Sequence, residues 1–91
     1  MAVTIRIPTQ LRALAGGASE VAVDAATVSD ALKALNDQHA GFDERLFDEK
    51  GELRRFVNVF VADEDIRFMQ GVDTSLADGT VVSIIPAVAG G

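Results

Sequence analysis

Apolar and polar residues alternate early in the chain, at residues 3–7 and again at residues 21–23. A two-residue period is typical of a strand with one buried face, because successive side chains point to opposite sides. Pro8 ends the first run, and Gly16 and Gly17 mark the connection between the two runs. The pattern predicts an N-terminal β-hairpin.

The apolar period then lengthens to that of a helix. The apolar residues that follow at helical spacing are Val28, Ala31, Leu32 and Leu35. Thr27 stands where an N-cap belongs, and Asp30 follows three residues later. Gly41 is expected to end the helix, because glycine favours helix C-termini. This is the strongest helical pattern in the chain.

The second half of the chain predicts a loop and then strands. Residues 42–53 are charged and are interpreted as a loop with one helical turn at residues 44–46. A strand is predicted at residues 56–61. The acidic turn at residues 63–65 is expected to lead into a short edge segment at residues 66–68.

Asp78 and Gly79 predict the turn before a last strand at residues 81–86. A hairpin, a helix and about three further strands leave one helix to cover one face of one sheet. The sequence therefore predicts an α+β fold of the β-grasp (ubiquitin-like) type. Its mixed sheet has about five strands, with one main helix on one face.

Strand alternation also assigns side chains to the two faces of this sheet. The core face is predicted to receive Val57, Val59, Val61, Val82 and Ile84. The uncovered face is predicted to receive Phe56, Asn58, Phe60, Val81, Ser83 and Ile85. The alternative is that both phenylalanines are buried under the loop at residues 42–53.

Composition narrows the chemistry that the chain can perform. Fourteen acidic and eight basic residues give a net charge of −6, which argues against binding nucleic acid through phosphates. The absence of cysteine removes disulfides, thiolate metal sites and cysteine nucleophiles. No run approaches the ~18–20 apolar residues of a membrane helix, and no signal peptide is recognisable. We therefore expect a cytoplasmic protein that does not bind membranes.

The usual catalytic and metal-binding patterns are missing. His39 is the single histidine and continues the apolar stripe of the helix, which favours a structural role. The acidic run at residues 63–65 lacks the spaced ligands of a calcium loop. Arg54 and Arg55 are interpreted as solvated charges beside a strand rather than an anion clamp. We expect that the protein is not an enzyme and binds no metal or cofactor itself.

The chain continues beyond the last strand with Ala87, Val88, Ala89, Gly90 and Gly91. Two glycines add little to a fold there, but they give a slim backbone that can enter a narrow channel. Pro86 ends strand pairing because it has no N–H. We expect a domain over residues 1–86 and a flexible tail over residues 87–91, which spans roughly 16–18 Å when extended.

This ending resembles that of the MoaD/ThiS family of ubiquitin-like small sulfur-carrier proteins. The resemblance rests on the turn at residues 76–79, the strand, Pro86 and the final Gly-Gly, and it extends over nearly the whole chain. Residues 54–61 and 63–68 make the chain most similar to the carriers of cysteine biosynthesis. The resemblance implies that Gly91 bears the reacting carboxylate.

In that family, an E1-like enzyme uses ATP to adenylate the C-terminal carboxylate, and a sulfur donor then displaces AMP. A carboxylate with a pKa of about 3.3–3.7 is ionised at neutral pH, so it needs this activation before a nucleophile attacks. The product is a thiocarboxylate. The resemblance further implies a cysteine synthase that contains pyridoxal phosphate, and a zinc-dependent peptidase that releases cysteine.

Three alternatives stay open. The sulfur could serve molybdopterin or thiamin synthesis, although Thr80, Val81 and Ala87 depart from the molybdopterin-type pattern. Gly91 could instead form an isopeptide bond to a target lysine, as in a ubiquitin-like modifier. The third alternative is a binding module whose tail takes part in no reaction.

An apolar patch at the root of the tail is the expected partner surface. It comprises Phe56, Phe60 and Ile85, which alternation places on the uncovered face near the end of the last strand. The activating enzyme and the cysteine synthase are expected to bind this patch in turn. Residues 87–90 are expected to be bound within the partner's channel.

Overall fold

The computed structural model describes residues 1–55 and 57–86. The strands are β1 (Ala2–Arg6), β2 (Glu20–Asp24), β3 (Val57–Val61), β4 (Glu64–Asp65) and β5 (Val81–Pro86). The helices are α1 (Val28–Gln38) and α2 (Phe42–Leu46). Short 3-10 segments cover Thr9–Ala15, Ile66–Phe68 and Gly71–Asp73. The predicted β-grasp fold is confirmed.

The five strands form one mixed sheet in the order β2-β1-β5-β3-β4. β1 and β2 form the predicted antiparallel hairpin, while β5 runs parallel to β1 and antiparallel to β3. Asp78 accepts a hydrogen bond from the Ala2 N–H at 2.8 Å, and Gly79 donates one to the Ala2 carbonyl at 2.7 Å. The turn before β5 is therefore fastened to the start of β1, which fixes the central strand in the sheet.

α1 begins at its predicted cap, because the Thr27 hydroxyl accepts a hydrogen bond from the Asp30 N–H at 3.1 Å. The helix ends at Gln38, earlier than Gly41, where the sequence predicts its end. The reason is the Asn36 side chain. Its amide oxygen accepts from the N–H groups of Gly41 and Asp43, at 3.2 and 3.0 Å, so the chain turns there and enters α2.

The core lies between α1 and one face of the sheet. All five strand residues predicted to face it are buried: Val57, Val59, Val61, Val82 and Ile84. Phe42 and Leu46 of α2 are fully buried as well, so the helical turn predicted at residues 44–46 is a helix that begins at Phe42 and completes the core. Within the described residues, no helix combines the length and apolar character needed to cross a membrane.

The edge of the sheet differs from the prediction. The edge strand is β4, and residues 66–68 form a 3-10 turn instead of an extended segment. Ala62 and Asp63 both have positive φ, 50° and 74°, so a tight two-residue turn begins β4 at once. The carboxylate of Asp65 accepts a hydrogen bond from the Arg67 N–H at 2.9 Å, and this bond starts the 3-10 turn. The strand therefore ends after two residues.

A second difference lies between β1 and β2. The sequence predicts only a turn at Gly16 and Gly17, whereas the structure has a 3-10 helix over Thr9–Ala15. Leu11 and Ala15 are buried, so this helix covers one end of the core. Gly16 ends it in a left-handed conformation, with φ of 65°, and is in that respect the predicted turn residue.

Candidate docking site at the root of the C-terminal tail

The strand that precedes the predicted tail, β5, is the central strand of the sheet. It lies between β1 and β3, and its last pair joins Pro86 to Val57 of β3. On the other side, pairing with β1 ends at Arg6 and Ser83. The last part of β5 is therefore held by β3 alone, and the side facing β1 opens into a groove.

The uncovered face next to this exit is partly apolar. Ile85 keeps 47% of its surface exposed, and Phe60 is half-buried on the neighbouring strand. Phe60 lies opposite Ser83 and Asn58 lies opposite Ile85, so Phe60 and Ile85 are diagonal neighbours across the β3–β5 pair. The structure thus places both side chains on the face that alternation predicts. The alternative prediction, that residues 42–53 bury Phe60, is wrong. Phe60 is only half-buried, and that segment packs on the core side of the sheet.

Most of the predicted site residues lie outside the part of the chain that the structure describes. These residues are Phe56, Ala87, Val88, Ala89, Gly90 and Gly91. Their roles, and the division into a domain and a tail, stay predictions. The described part of the predicted patch is Phe60 and Ile85.

Arg67 is a structural residue of this region that sequence reasoning missed. Its Nη2 lies 2.8 Å from the Val57 carbonyl oxygen, and 3.3 and 3.4 Å from those of Arg54 and Arg55. Its Nη1 donates to the side-chain oxygen of Asn58. One guanidinium thus holds the segment that leads into β3, the strand against which the end of β5 is paired.

We expect Arg67→Met to lower the free energy of unfolding by about 1–2 kcal/mol, because several acceptors lose a charged donor together. Arg67→Lys should recover only part of this loss, since one ammonium cannot reproduce the planar fork. The measurement is chemical denaturation, with Arg45→Met as the control because Arg45 is an exposed residue of α2. The control is expected within about 0.5 kcal/mol of wild type. Equal losses for Arg67→Met and Arg45→Met would contradict the role given to Arg67.

The other charged residues considered in the sequence have structural surroundings. Arg54 donates from Nε and Nη2 to the Glu44 carbonyl, at 3.1 and 3.0 Å, which ties it to α2 rather than to an anion. His39 caps the C-terminus of α1 and donates its backbone N–H to the Leu35 carbonyl. Among the described residues, no cluster of three or more histidine or carboxylate side chains could hold a metal ion.

The chain is similar to known proteins over most or all of its length. The profile of the ThiS family matches residues 5–91. The sulfur carrier protein CysO of Mycobacterium tuberculosis is 46% identical over 93 aligned residues, which cover 100% of both chains.

Two solved structures extend the comparison. The chain in the BexX/CysO complex of Amycolatopsis orientalis is 45% identical with a TM-score of 0.91, covering 98% of this chain and 99% of that one. SAMP1 of Haloferax volcanii is 31% identical with a TM-score of 0.86, covering 100% of both chains. This chain is therefore similar in fold both to a sulfur carrier protein and to a small archaeal modifier protein.

Proposed function

Because the chain belongs to the ThiS/MoaD family of ubiquitin-like sulfur carriers, we propose that it carries sulfur for cysteine synthesis as a thiocarboxylate on Gly91. The main support is the place of β5, the central strand, whose last described pair at Pro86 comes directly before the residues of the predicted tail. The full-length similarity to the sulfur carrier protein CysO supports the carrier role. The resemblance of residues 54–61 and 63–68 to the carriers of cysteine biosynthesis supports the pathway. In this proposal the partner enzymes bind the domain, and the reacting atoms belong to Gly91.

The chemistry requires a partner enzyme. A carboxylate oxygen of Gly91 attacks the α-phosphorus of ATP, pyrophosphate leaves, and an acyl-adenylate forms. A sulfur nucleophile then forms a C–S bond at the carboxyl carbon of Gly91, and the C–O bond between that carbon and AMP breaks. In this proposal an E1-like enzyme supplies the ATP site and the catalytic groups for both steps.

The two later partners act on the charged carrier. In a cysteine synthase that contains pyridoxal phosphate, the thiocarboxylate sulfur forms a C–S bond with the amino-acid substrate, so the new cysteine stays attached to the Gly91 carbonyl. A zinc-dependent peptidase then hydrolyses this attachment, which releases cysteine and regenerates the Gly91 carboxylate. We propose that the activating enzyme and the synthase both bind the patch of Phe56, Phe60 and Ile85. Ile85 supports this proposal, because it is exposed two residues before the tail begins. Sharing one patch means that the two enzymes bind in turn.

Protein modification is the second candidate function. The similarity to SAMP1 of Haloferax volcanii favours it, because SAMP1 is a small archaeal modifier protein. Both functions begin with the same adenylate at Gly91. They diverge at the nucleophile, which is a sulfur donor for a carrier and a lysine amine for a modifier.

A reconstitution separates the candidates. The protein is incubated with the E1-like enzyme of the same cells, ATP and sulfide, and the mass of its C-terminal peptide is measured. Replacement of one oxygen by sulfur, dependent on ATP, is the expected result. Without ATP, the peptide should stay unchanged. ATP consumption that yields only conjugates to lysine would favour the modifier function instead.

A further inference from the structure

A groove runs alongside the end of β5, where β1 has already left the sheet. Its volume is about 400 Å³, and it is lined by residues 6–10, Arg12 and residues 83–86. Arg6 and Arg12 are its charged residues, and none of the described residues that line it is acidic. In a chain with fourteen acidic residues and a net charge of −6, this local excess of positive charge is unusual.

The two arginines are available to a ligand in different ways. Arg12 uses Nε to donate to the Ile7 carbonyl at 3.0 Å, which fixes its stem across the groove. Among the described residues, no carboxylate comes within 4.0 Å of Arg12. Arg6 is paired with Glu20 at 3.5 Å, but both side chains are more than half exposed, so the pair is weak and exchangeable.

We infer that this groove docks carboxylate side chains at the mouth of the channel in the enzyme that activates the tail, an inference that rests on the proposed function. The groove reaches Pro86, and residues 87–91 span at most roughly 16–18 Å beyond it. When Gly91 is at the reacting centre, the groove must therefore lie against the outer rim of the channel. An acidic rim complements Arg6 and Arg12.

The charge distribution also orients this protein as it approaches the activating enzyme. An acidic rim is repelled by most of this protein's surface, because the acidic residues lie outside the groove. An approach with the groove foremost brings Arg6 and Arg12 to that rim with no acidic side chain among the described residues that line the groove. Charges of this kind change the association rate and its salt dependence more than the dissociation rate.

The test compares two double variants that remove the same charge. Arg6→Gln with Arg12→Gln alters the groove, whereas Arg45→Gln with Lys50→Gln alters exposed positions outside it. The measured quantity is the association rate with the E1-like adenylating enzyme. At an ionic strength of about 0.01 M, the groove variant should associate about tenfold more slowly than the control variant. At about 1 M, where the Debye length is about 3 Å, the two rates should converge.

A further variant separates charge from folding. Arg12→Lys keeps the positive charge but loses the Nε contact to Ile7, so it should associate nearly as fast as wild type. Slow association of Arg12→Lys, or equal rates for the two double variants, would overturn the inference. If either result is obtained while the wild-type protein still binds the enzyme and is adenylated, only the inference about the groove is wrong. If the enzyme neither binds nor adenylates wild type, the proposed function fails.

Discussion

Deletion of Gly90 and Gly91 is expected to abolish adenylation while leaving the free energy of unfolding within about 0.5 kcal/mol of wild type. The described core consists of residues up to Ile84, and the last described strand pair is at Pro86. The described strands and the described core lie within residues 1–86, so we expect the tail to contribute little to folding. ATP–pyrophosphate exchange with the E1-like enzyme measures activation, and thermal unfolding measures stability.

A graded series at Gly90 provides the control for this deletion. Gly90→Ala should retain much of the exchange activity and Gly90→Trp almost none, because only the larger side chain blocks a narrow channel. Both variants should unfold at the wild-type temperature. A large drop in that temperature on deletion would show that the tail is structural, and the proposal would then fail.

Phe60→Ala is expected to weaken the complexes with both the activating enzyme and the cysteine synthase by about 2 kcal/mol or more, the size of an interface hot spot. Phe60 is half-buried on the uncovered face and is the diagonal neighbour of exposed Ile85. Its removal takes apolar area from the root of the tail and leaves the α1 side of the core intact. Isothermal titration with each purified partner gives the two affinities.

Phe47→Ala is the matched control for Phe60→Ala. Phe47 is also half-buried, but it packs against the core cluster on the other side of the sheet. Its truncation should affect stability and leave both affinities within about twofold of wild type, as expected for a residue outside an interface. Unchanged affinities for Phe60→Ala, or its outright unfolding, would contradict the shared patch.

The sequence predicts much of the fold because the relevant signals are local. Alternation at β3 and β5 assigns Val59 and Ile84 to the core correctly, and Thr27 caps α1 as its position indicates. The errors occur where a side-chain hydrogen bond or a backbone conformation decides, because neither leaves a signal in the hydrophobic period. The amide of Asn36 ends α1 early, and a left-handed turn at Ala62 begins β4 before the predicted edge segment.

In the candidate site, too, some residues could be predicted from the sequence and others could not. Phe60 and Ile85 could be placed on the uncovered face from the two-residue period alone. Arg67 could not be identified, because its carbonyl acceptors lie ten to thirteen positions earlier in the chain. The groove could not be predicted either, since it exists only where Arg12 comes to lie beside the end of β5.

The most direct test of the central claim is the intact mass of the protein purified from its own cells during active cysteine synthesis. The account predicts a species in which one oxygen at the C-terminus is replaced by sulfur, and a second species that carries one added cysteine residue. Both should disappear when Gly91 is deleted. An unmodified mass throughout, or a ladder of conjugates to other proteins in place of these species, would contradict it.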